Sequence, residues 1–387
     1  MARLTPLFML ALVGCADPDL DGMFTQSTVT AGTQEDVVTA LDDLIGSADD
    51  TVRAALPAGQ DTAVTDLLVA AWEGGLDVEV ATDFDQVDDP GIQALLAAGV
   101  PVTRTNDGIE YFEFVLGDDV AWDSMDTILS TSFVVVDEMR FVAANDIGFD
   151  QEGTRIILEG RGQDVCDDML KEHNQLMGNG IDAADSTSTT AYDNQAKSIA
   201  DPRWRYPLRT GAQLEVWFGP QERVTKRIID AVYAAKSDVR VLTDEFANEG
   251  LTKALQDKAE QGFDVQVVVG PRFGETSTAL ARLLATDTPN VRKSRVSEGR
   301  VPTVVLIDLE PARDDNVYPA KAFFLSHDLY SAERLYRSSP VLTDQLIDGV
   351  LYVFEDASDR GGIGDVAPEV DALLEVFEEH QSRAGGL

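Results

Sequence analysis

The chain is short of the residue types that metal, redox and nucleic-acid chemistry draw on. Among 387 residues there are two cysteines, three histidines and 30 Lys+Arg against 69 Asp+Glu, a formal charge of −39. A surface so acidic repels phosphate backbones and anionic headgroups, which excludes a broad nucleic-acid interface. The few His and Cys residues do not cluster into a zinc ligand set, and no phosphate-cradling P-loop is present. Beyond the N-terminus no apolar run reaches the roughly 20 residues of a membrane helix. No metal or cofactor is therefore expected.

What is present is a globular composition, 44% hydrophobic and 26% charged, in a chain long enough for two domains or for one body with two halves. The excess of carboxylates fits solubility in a salty medium, where screening tolerates dense like charge. The N-terminus has the grammar of an export signal: Arg3, then the apolar run Leu7-Phe8-Met9-Leu10-Ala11-Leu12-Val13, too short to span a bilayer. It ends in Leu12-Val13-Gly14-Cys15, which resembles the bacterial lipobox. That resemblance implies a signal peptide over 1–15, a lipid on Cys15 and a membrane anchor through it. With Ala16 rather than Asp after the cysteine, it implies an outer-membrane address at the cell envelope. A lipidated Cys15 leaves Cys166 without a disulfide partner. Cys166 lies among apolar residues at helical spacing, where a buried, inert thiol is expected.

Residues 16–35 read as a polar tether and 179–209 as an exposed connector containing Ser186-Thr187-Ser188-Thr189-Thr190. Between and beyond them, 36–178 and 210–387 repeat one order of elements. In the first, a helix over Val37–Ile45 precedes a strand over Thr51–Leu56. A helix capped by Asp61 and closed by Gly74-Gly75 then leads to a strand over Leu76–Val80. In the second, a helix over Val224–Ala235, a strand over Val239–Leu242, a helix from Leu251 to Glu260 and a strand over Phe263–Val269 follow in the same order. Gly75-Leu76-Asp77-Val78-Glu79-Val80 matches Gly262-Phe263-Asp264-Val265-Gln266-Val267 position for position. Such a repeat implies a duplicated α/β fold, with strands apolar enough for parallel sheets covered on both faces.

Downstream of each unit comes an apolar strand ending in aspartate: Ser130-Thr131-Ser132-Phe133-Val134-Val135-Val136-Asp137 and Val301-Pro302-Thr303-Val304-Val305-Leu306-Ile307-Asp308. A turn follows each, Ala143-Ala144-Asn145-Asp146-Ile147 and Leu325-Ser326-His327-Asp328-Leu329. In this the chain resembles the phospholipase D superfamily, whose halves each carry H-x-K-x4-D and then G-S-x-N. The resemblance implies an α/β/α sandwich of two pseudo-twofold related halves with the site between them. It also implies chemistry in which one histidine attacks phosphorus, the other protonates the leaving oxygen and two lysines neutralise the phosphoryl group. Here Ser130 and Val301 stand at the histidine positions and Ser132 and Thr303 at the lysine positions. Asp137 and Asp308 remain. The pocket positions are thus Ser130, Ser132, Asp137, Val301, Thr303, Asp308, Ser326 and His327, with no intact catalytic set.

Of the other histidines, His173 is expected half-buried on a helix. His380 is expected at a helix C-terminus, where partial charge suits the helix dipole. Asp83, Asp85, Asp88 and Asp89 form an acidic loop without the spacing of a calcium loop. The resulting expectation is a non-enzymatic phospholipase D-like lipoprotein, a binding or structural module. Its partner would be a protein or a phosphorylated small molecule not identified by the sequence. The alternatives are an active phospholipase D- or cardiolipin synthase-like phosphodiesterase or phosphatidyltransferase using His327, and a cation-binding surface adhesin.

Overall fold

The computed structural model describes residues 25–83, 86–105, 110–116, 119–125, 128–177, 205–219, 224–244, 246, 248–271, 291–310, 318–327, 329, 347–356 and 366–386. The segment expected to be an export signal, with Cys15, the serine- and threonine-rich stretch at 186–190, and Asp85 lie outside these residues.

In the first half the order is β1 (Gln26–Gly32), α1 (Gln34–Ile45), β2 (Thr51–Leu56), α2 (Thr62–Glu73), β3 (Asp77–Asp83), α3 (Pro90–Ala98), β4 (Val102–Thr105), β5 (Glu110–Leu116) and β6 (Asp119–Met125). It continues with β7 (Ile128–Leu129), β8 (Phe133–Val136), β9 (Arg140–Ala144), β10 (Arg155–Arg161) and α4 (Gln163–Leu176). The second half runs β11 (Tyr206–Pro207), β12 (Ala212–Phe218), α5 (Val224–Ala234), β13 (Asp238–Thr243), α6 (Glu249–Glu260), β14 (Asp264–Val269) and β15 (Val291–Arg295). Then come β16 (Thr303–Ile307), β17 (Lys321–Leu325), β18 (Ile347–Asp348), β19 (Val350–Asp356), α7 (Pro368–Arg383) and β20 (Gly385–Gly386).

Helix starts follow local chemistry. Thr33 and Asp36 form a capping box on α1, the Asp61 carboxylate accepts from Ala63 N at the start of α2, and Asn248 accepts from Leu251 N at the start of α6. After α2 and α6 the chain reverses through Gly75 and Gly262, with φ of +95° and +87°, a conformation glycine reaches without a Cβ penalty.

The duplication is visible in the sheets. One is ordered β1-β10-β9-β8-β2-β3-β4, and the other contains β12-β19-β17-β16-β13-β14-β15 in the same sequence of roles, extended by β11 and β20 at its edges. The matched β3 and β14 each pair in parallel with the strand before them, β2 and β13. The sheets are mixed rather than parallel, a correction to the sequence reading. Only β2-β3-β4 and β13-β14-β15 run parallel, and the motif strands β8 and β16 run antiparallel to β2 and β13. Continuous apolar strands report burial on both faces, not strand direction.

Three apolar clusters fill the layers. Val52, Leu56, Val134 and Val136 face α1, α2 and α3 on one outer side, and Val239, Val305 and Ile307 face α5 and α6 on the other. Between the sheets, Phe133, Val135, Val304 and Leu306 join Val165, Cys166 and Met169 of α4 and Leu373 and Phe377 of α7 in one central cluster. Each sheet is therefore covered on both faces, and both halves share the middle.

Two boundaries move. The segment read as a tether over 16–35 contains β1, paired antiparallel along β10. The segment read as a connector over 179–209 ends in β11 and Arg209, with Pro207 O accepting from Thr25 N and Arg209 N donating to Thr25 O just before β1. In each case a polar sequence serves as an edge strand, which needs only one apolar face.

Candidate functional site at the junction of the two halves

The two aspartates that end the matched strands β8 and β16 do the same structural work in each half. Asp137 leaves β8 with φ of +50° and Asp308 leaves β16 with φ of +59°. Asp137 accepts from the backbone N–H groups of Asp49 (2.9 Å), Asp50 (2.9 Å) and Thr51 (3.0 Å), fixing the entry to β2. Asp308 accepts from Lys236 N (2.6 Å), Ser237 N (2.8 Å) and the Ser237 hydroxyl (3.2 Å) at the entry to β13. Their ionisation differs. Burial opposes the Asp137 carboxylate, but its three amide donors and Arg140 outweigh that and hold its pKa below the ordinary range. Asp308 is more deeply enclosed, and burial raises its pKa despite similar donors.

The remaining motif positions are spent on the fold. Ser132 is fully buried and accepts from Ile147 N at 3.0 Å. Thr303 is buried and shares a hydrogen bond with Thr243 at 3.0 Å. Val301 lies in the central apolar cluster, and Ser130 is half-buried after β7. Ser132 and Thr303 thus hold partners within their own halves.

Strand registers correct the matching of the two turns by one residue. β9 pairs Ala144 with Ile157, and β17 pairs Leu325 with Leu351. Asn145 therefore corresponds to Ser326 and Asp146 to His327. The hydrogen bonds agree: Asn145 Oδ1 accepts from Ile156 N (2.7 Å) and Ser326 Oγ from Val350 N (2.9 Å). Matching Ser326 to Ala144 by sequence fails because the two turns share few residue types.

By the same registers Leu129 corresponds to Arg300, and Arg155 to Gly349. These positions line two contacts between the halves. In one, β7 pairs in parallel with β18, Leu129 against Asp348. The next residue along each chain is Ser130 and Gly349, and a Cβ on Gly349 would collide with the His327 ring. In the other, Gly153 bridges Arg300, with Thr154 N donating to Arg300 O (3.1 Å) and Arg300 N to Glu152 O (3.2 Å).

The second contact is charged. Arg300 Nη1 lies 3.0 Å from Asp146 Oδ1 and its Nε 3.9 Å from Asp244 Oδ2. Arg155, with a fully buried side chain, donates to Gln34 Oε1 (3.2 Å) and Gln151 O (2.9 Å), and its Nη1 stands 3.8 Å from Asp146 Oδ2. Burial lowers the Arg155 pKa, while Asp146 and Asp61 act against it. Sequence reasoning placed Asp146 in the turn but missed Arg155, Arg300 and Asp244. For the two arginines the one signal was scarcity, basic side chains beside a motif in a chain with few; Asp244 carried none in a chain with 69 Asp+Glu.

The histidines differ from expectation. His173 is completely buried rather than half-buried, and burial drives its pKa down to about 3. His380 is also buried, with Nδ1 2.8 Å from Val376 O and Nε2 3.1 Å from Thr154 Oγ1. Burial lowers its pKa, so it is a neutral link between halves rather than a charge on a helix end. His327 is held neutral by burial, which lowers its pKa to about 4. Its Nδ1 has no hydrogen-bond partner among the described residues. In the acidic loop, Asp83 accepts from Leu129 N (2.6 Å) and Asp89 from Gly59 N (2.9 Å), so both are committed to the backbone.

This architecture is a duplicated α/β fold, and solved structures share it. A phosphatidylserine synthase from Haemophilus influenzae Rd KW20 is similar over 94% of this chain and 87% of its own, with a TM-score of 0.57 and 11% identity. A polyphosphate kinase from Porphyromonas gingivalis is similar over 92% of this chain and 56% of its own, with a TM-score of 0.54 and 9% identity. At these identities the likeness is one of fold alone. No family model matches the chain, and no curated protein matches it in sequence.

Proposed function

We propose that the protein is a catalytically degenerate phospholipase D-like lipoprotein, a binding or structural module held at the outer membrane through lipid on Cys15. The reading rests on one observation. Where the resemblance places two histidines and two lysines, the chain has Ser130, Val301, Ser132 and Thr303, and the last two are buried in hydrogen bonds within their own halves. A hydroxyl without an adjacent base is a poor nucleophile at neutral pH, and removing a nucleophile commonly removes several orders of magnitude in rate. The partner is a protein or a phosphorylated small molecule.

The test compares purified wild-type protein with His327→Ala on phosphatidylcholine, cardiolipin and a model phosphodiester. The expected result is no turnover above buffer in either. Phosphodiesterase activity in the wild type that disappears in His327→Ala would establish the alternative, an enzyme working through the neutral His327 imidazole.

A further inference from the structure

The pseudo-twofold relation supplies an internal control for the charged contact between the halves. On one side of the junction stand Arg300, Asp146 and Arg155; at the corresponding positions on the other stand Leu129, His327 and Gly349. The neutral side is joined by backbone pairing between β7 and β18 and by packing of the imidazole on glycine. Joining the halves therefore does not require charge, and burying two guanidiniums carries a desolvation penalty that a neutral contact avoids.

The carboxylate between the arginines also fits them incompletely. Asp146 reaches Arg300 at 3.0 Å but stays 3.8 Å from Arg155. Arg155 Nη1 has no hydrogen-bond partner among the described residues, although its side chain is fully buried. A buried donor left without an acceptor is costly, and here it faces the carboxylate that holds Arg300. Arg300 and Asp146 keep 13% and 10% of their side chains exposed, so the pair is within reach of solvent.

We infer that Arg155 and Arg300 form a binding site for a small tetrahedral oxyanion, with Asp146 as the resident internal anion that a ligand must displace. Two guanidiniums converge on Asp146 from the two halves. Arg155 keeps Nη1 unspent while its Nε and Nη2 bond Gln34 and Gln151, and Arg300 Nη1 also donates to Gln151 Oε1 (3.2 Å). The donors that would meet phosphate oxygens are thus the two Nη1 groups now facing Asp146. With Asp146 in place and a chain charge of −39, affinity for a free anion is weak. Release of Asp146 strengthens it. The inference names a ligand chemistry for the module proposed above but does not depend on its lack of catalysis.

Calorimetric titration of the full chain at 0.15 M NaCl tests it, with inorganic phosphate in one arm and glycerol phosphate, a headgroup mimic, in the other. Wild type is expected to bind phosphate weakly but saturably, Asp146→Asn at least tenfold more tightly, and Arg300→Gln not at all. Binding of glycerol phosphate as tight as that of phosphate would assign the site to phosphomonoesters, and its failure would assign it to the free ion. No saturable binding in wild type or Asp146→Asn, or tightening that persists in Asp146→Asn combined with Arg300→Gln, overturns the site. Should Asp146→Asn not fold, the decision falls to Arg300→Gln: wild-type binding that survives it is equally fatal. Phosphodiesterase activity would refute the reading above without touching this result.

Discussion

Asp137 and Asp308 each carry a structural role that their half of the fold requires. Each accepts from consecutive backbone N–H groups at the entry to a central parallel strand, so neither depends on chemistry at the junction. Asp137→Ala should cost about 1 kcal/mol, because water can replace the carboxylate at the exposed Asp49 and Asp50 and only Thr51 N is half-buried, read as a fall in the urea midpoint at constant slope. Its pKa is lowered in the fold, so its contribution is complete above the ordinary carboxylate range and is lost as pH falls through the lowered value. His173 adds a dependence of the same sign in a higher pH window, since its folded-state pKa is also lowered. Its imidazole is neutral in the core and its pKa falls to about 3 there, whereas the unfolded chain takes up a proton near pH 6.5. The stability it confers is whole above pH 6.5 and declines as pH drops from there towards 3. His173→Leu should remove one proton from that dependence, flattening the stability profile between pH 6 and 4 by up to about 1.4 kcal/mol per pH unit. An unchanged slope in paired denaturation series would show that His173 is not buried neutral.

At the scale of elements, the turn from helix into strand is the clearest mark of the duplication. Gly75 and Gly262 end equivalent helices with positive φ, and nothing lies within 4 Å of a Cβ built on Gly75. The substitution Gly75→Ala therefore meets only backbone strain, and Gly262→Ala meets the same φ. Each should cost about 1 kcal/mol, and the two losses should agree within error in thermal or urea denaturation. A large difference would mean the two turns are not structurally equivalent. These turns were legible because glycine, a capped helix and an apolar strand recur in order twice. Strand direction was not, since a fully buried strand reads alike in parallel and antiparallel sheets. Strand β1 was hidden for a related reason: Gln26-Ser27-Thr28-Val29-Thr30 carries one buried position, Val29, and an edge strand with so little apolar content resembles a linker. The turn match slipped because register is written in the backbone ladder, which only the pairing of β9 with β10 and β17 with β19 reveals. Arg155 and Arg300 stayed unseen because they meet only when the two halves do.

For the whole molecule, the proposed lipid anchor and the shared core make separate predictions. If Cys15 carries the lipid, Cys15→Ser should leave the folded body intact and move it from the membrane fraction to the soluble one. Several acyl chains are what make such an anchor durable, since a single chain binds only marginally. Equal membrane recovery of parent and variant would contradict the anchor. The body itself should behave as one cooperative unit despite its two-copy construction. The central cluster draws Phe133 and Val135 from one sheet and Val304, Leu306, Phe324 and Tyr352 from the other. Phe133 and Phe218 meet edge to face across the divide at 6.3 Å. His380 of α7 reaches Thr154 of the first half, and Thr25, just before β1, donates to Pro207 O of the strand that opens the second. Separating the halves would expose this whole apolar layer, far more than the few hundred Å² that soluble monomers tolerate as one patch. A fragment of residues 25–177 made alone should therefore aggregate or bind hydrophobic dyes, and the full chain should unfold in a single transition by calorimetry and fluorescence together. Two resolved transitions, or a soluble 25–177 fragment that melts cooperatively near the temperature of the parent, would show that each copy holds its own core and that the junction is only a contact between finished domains.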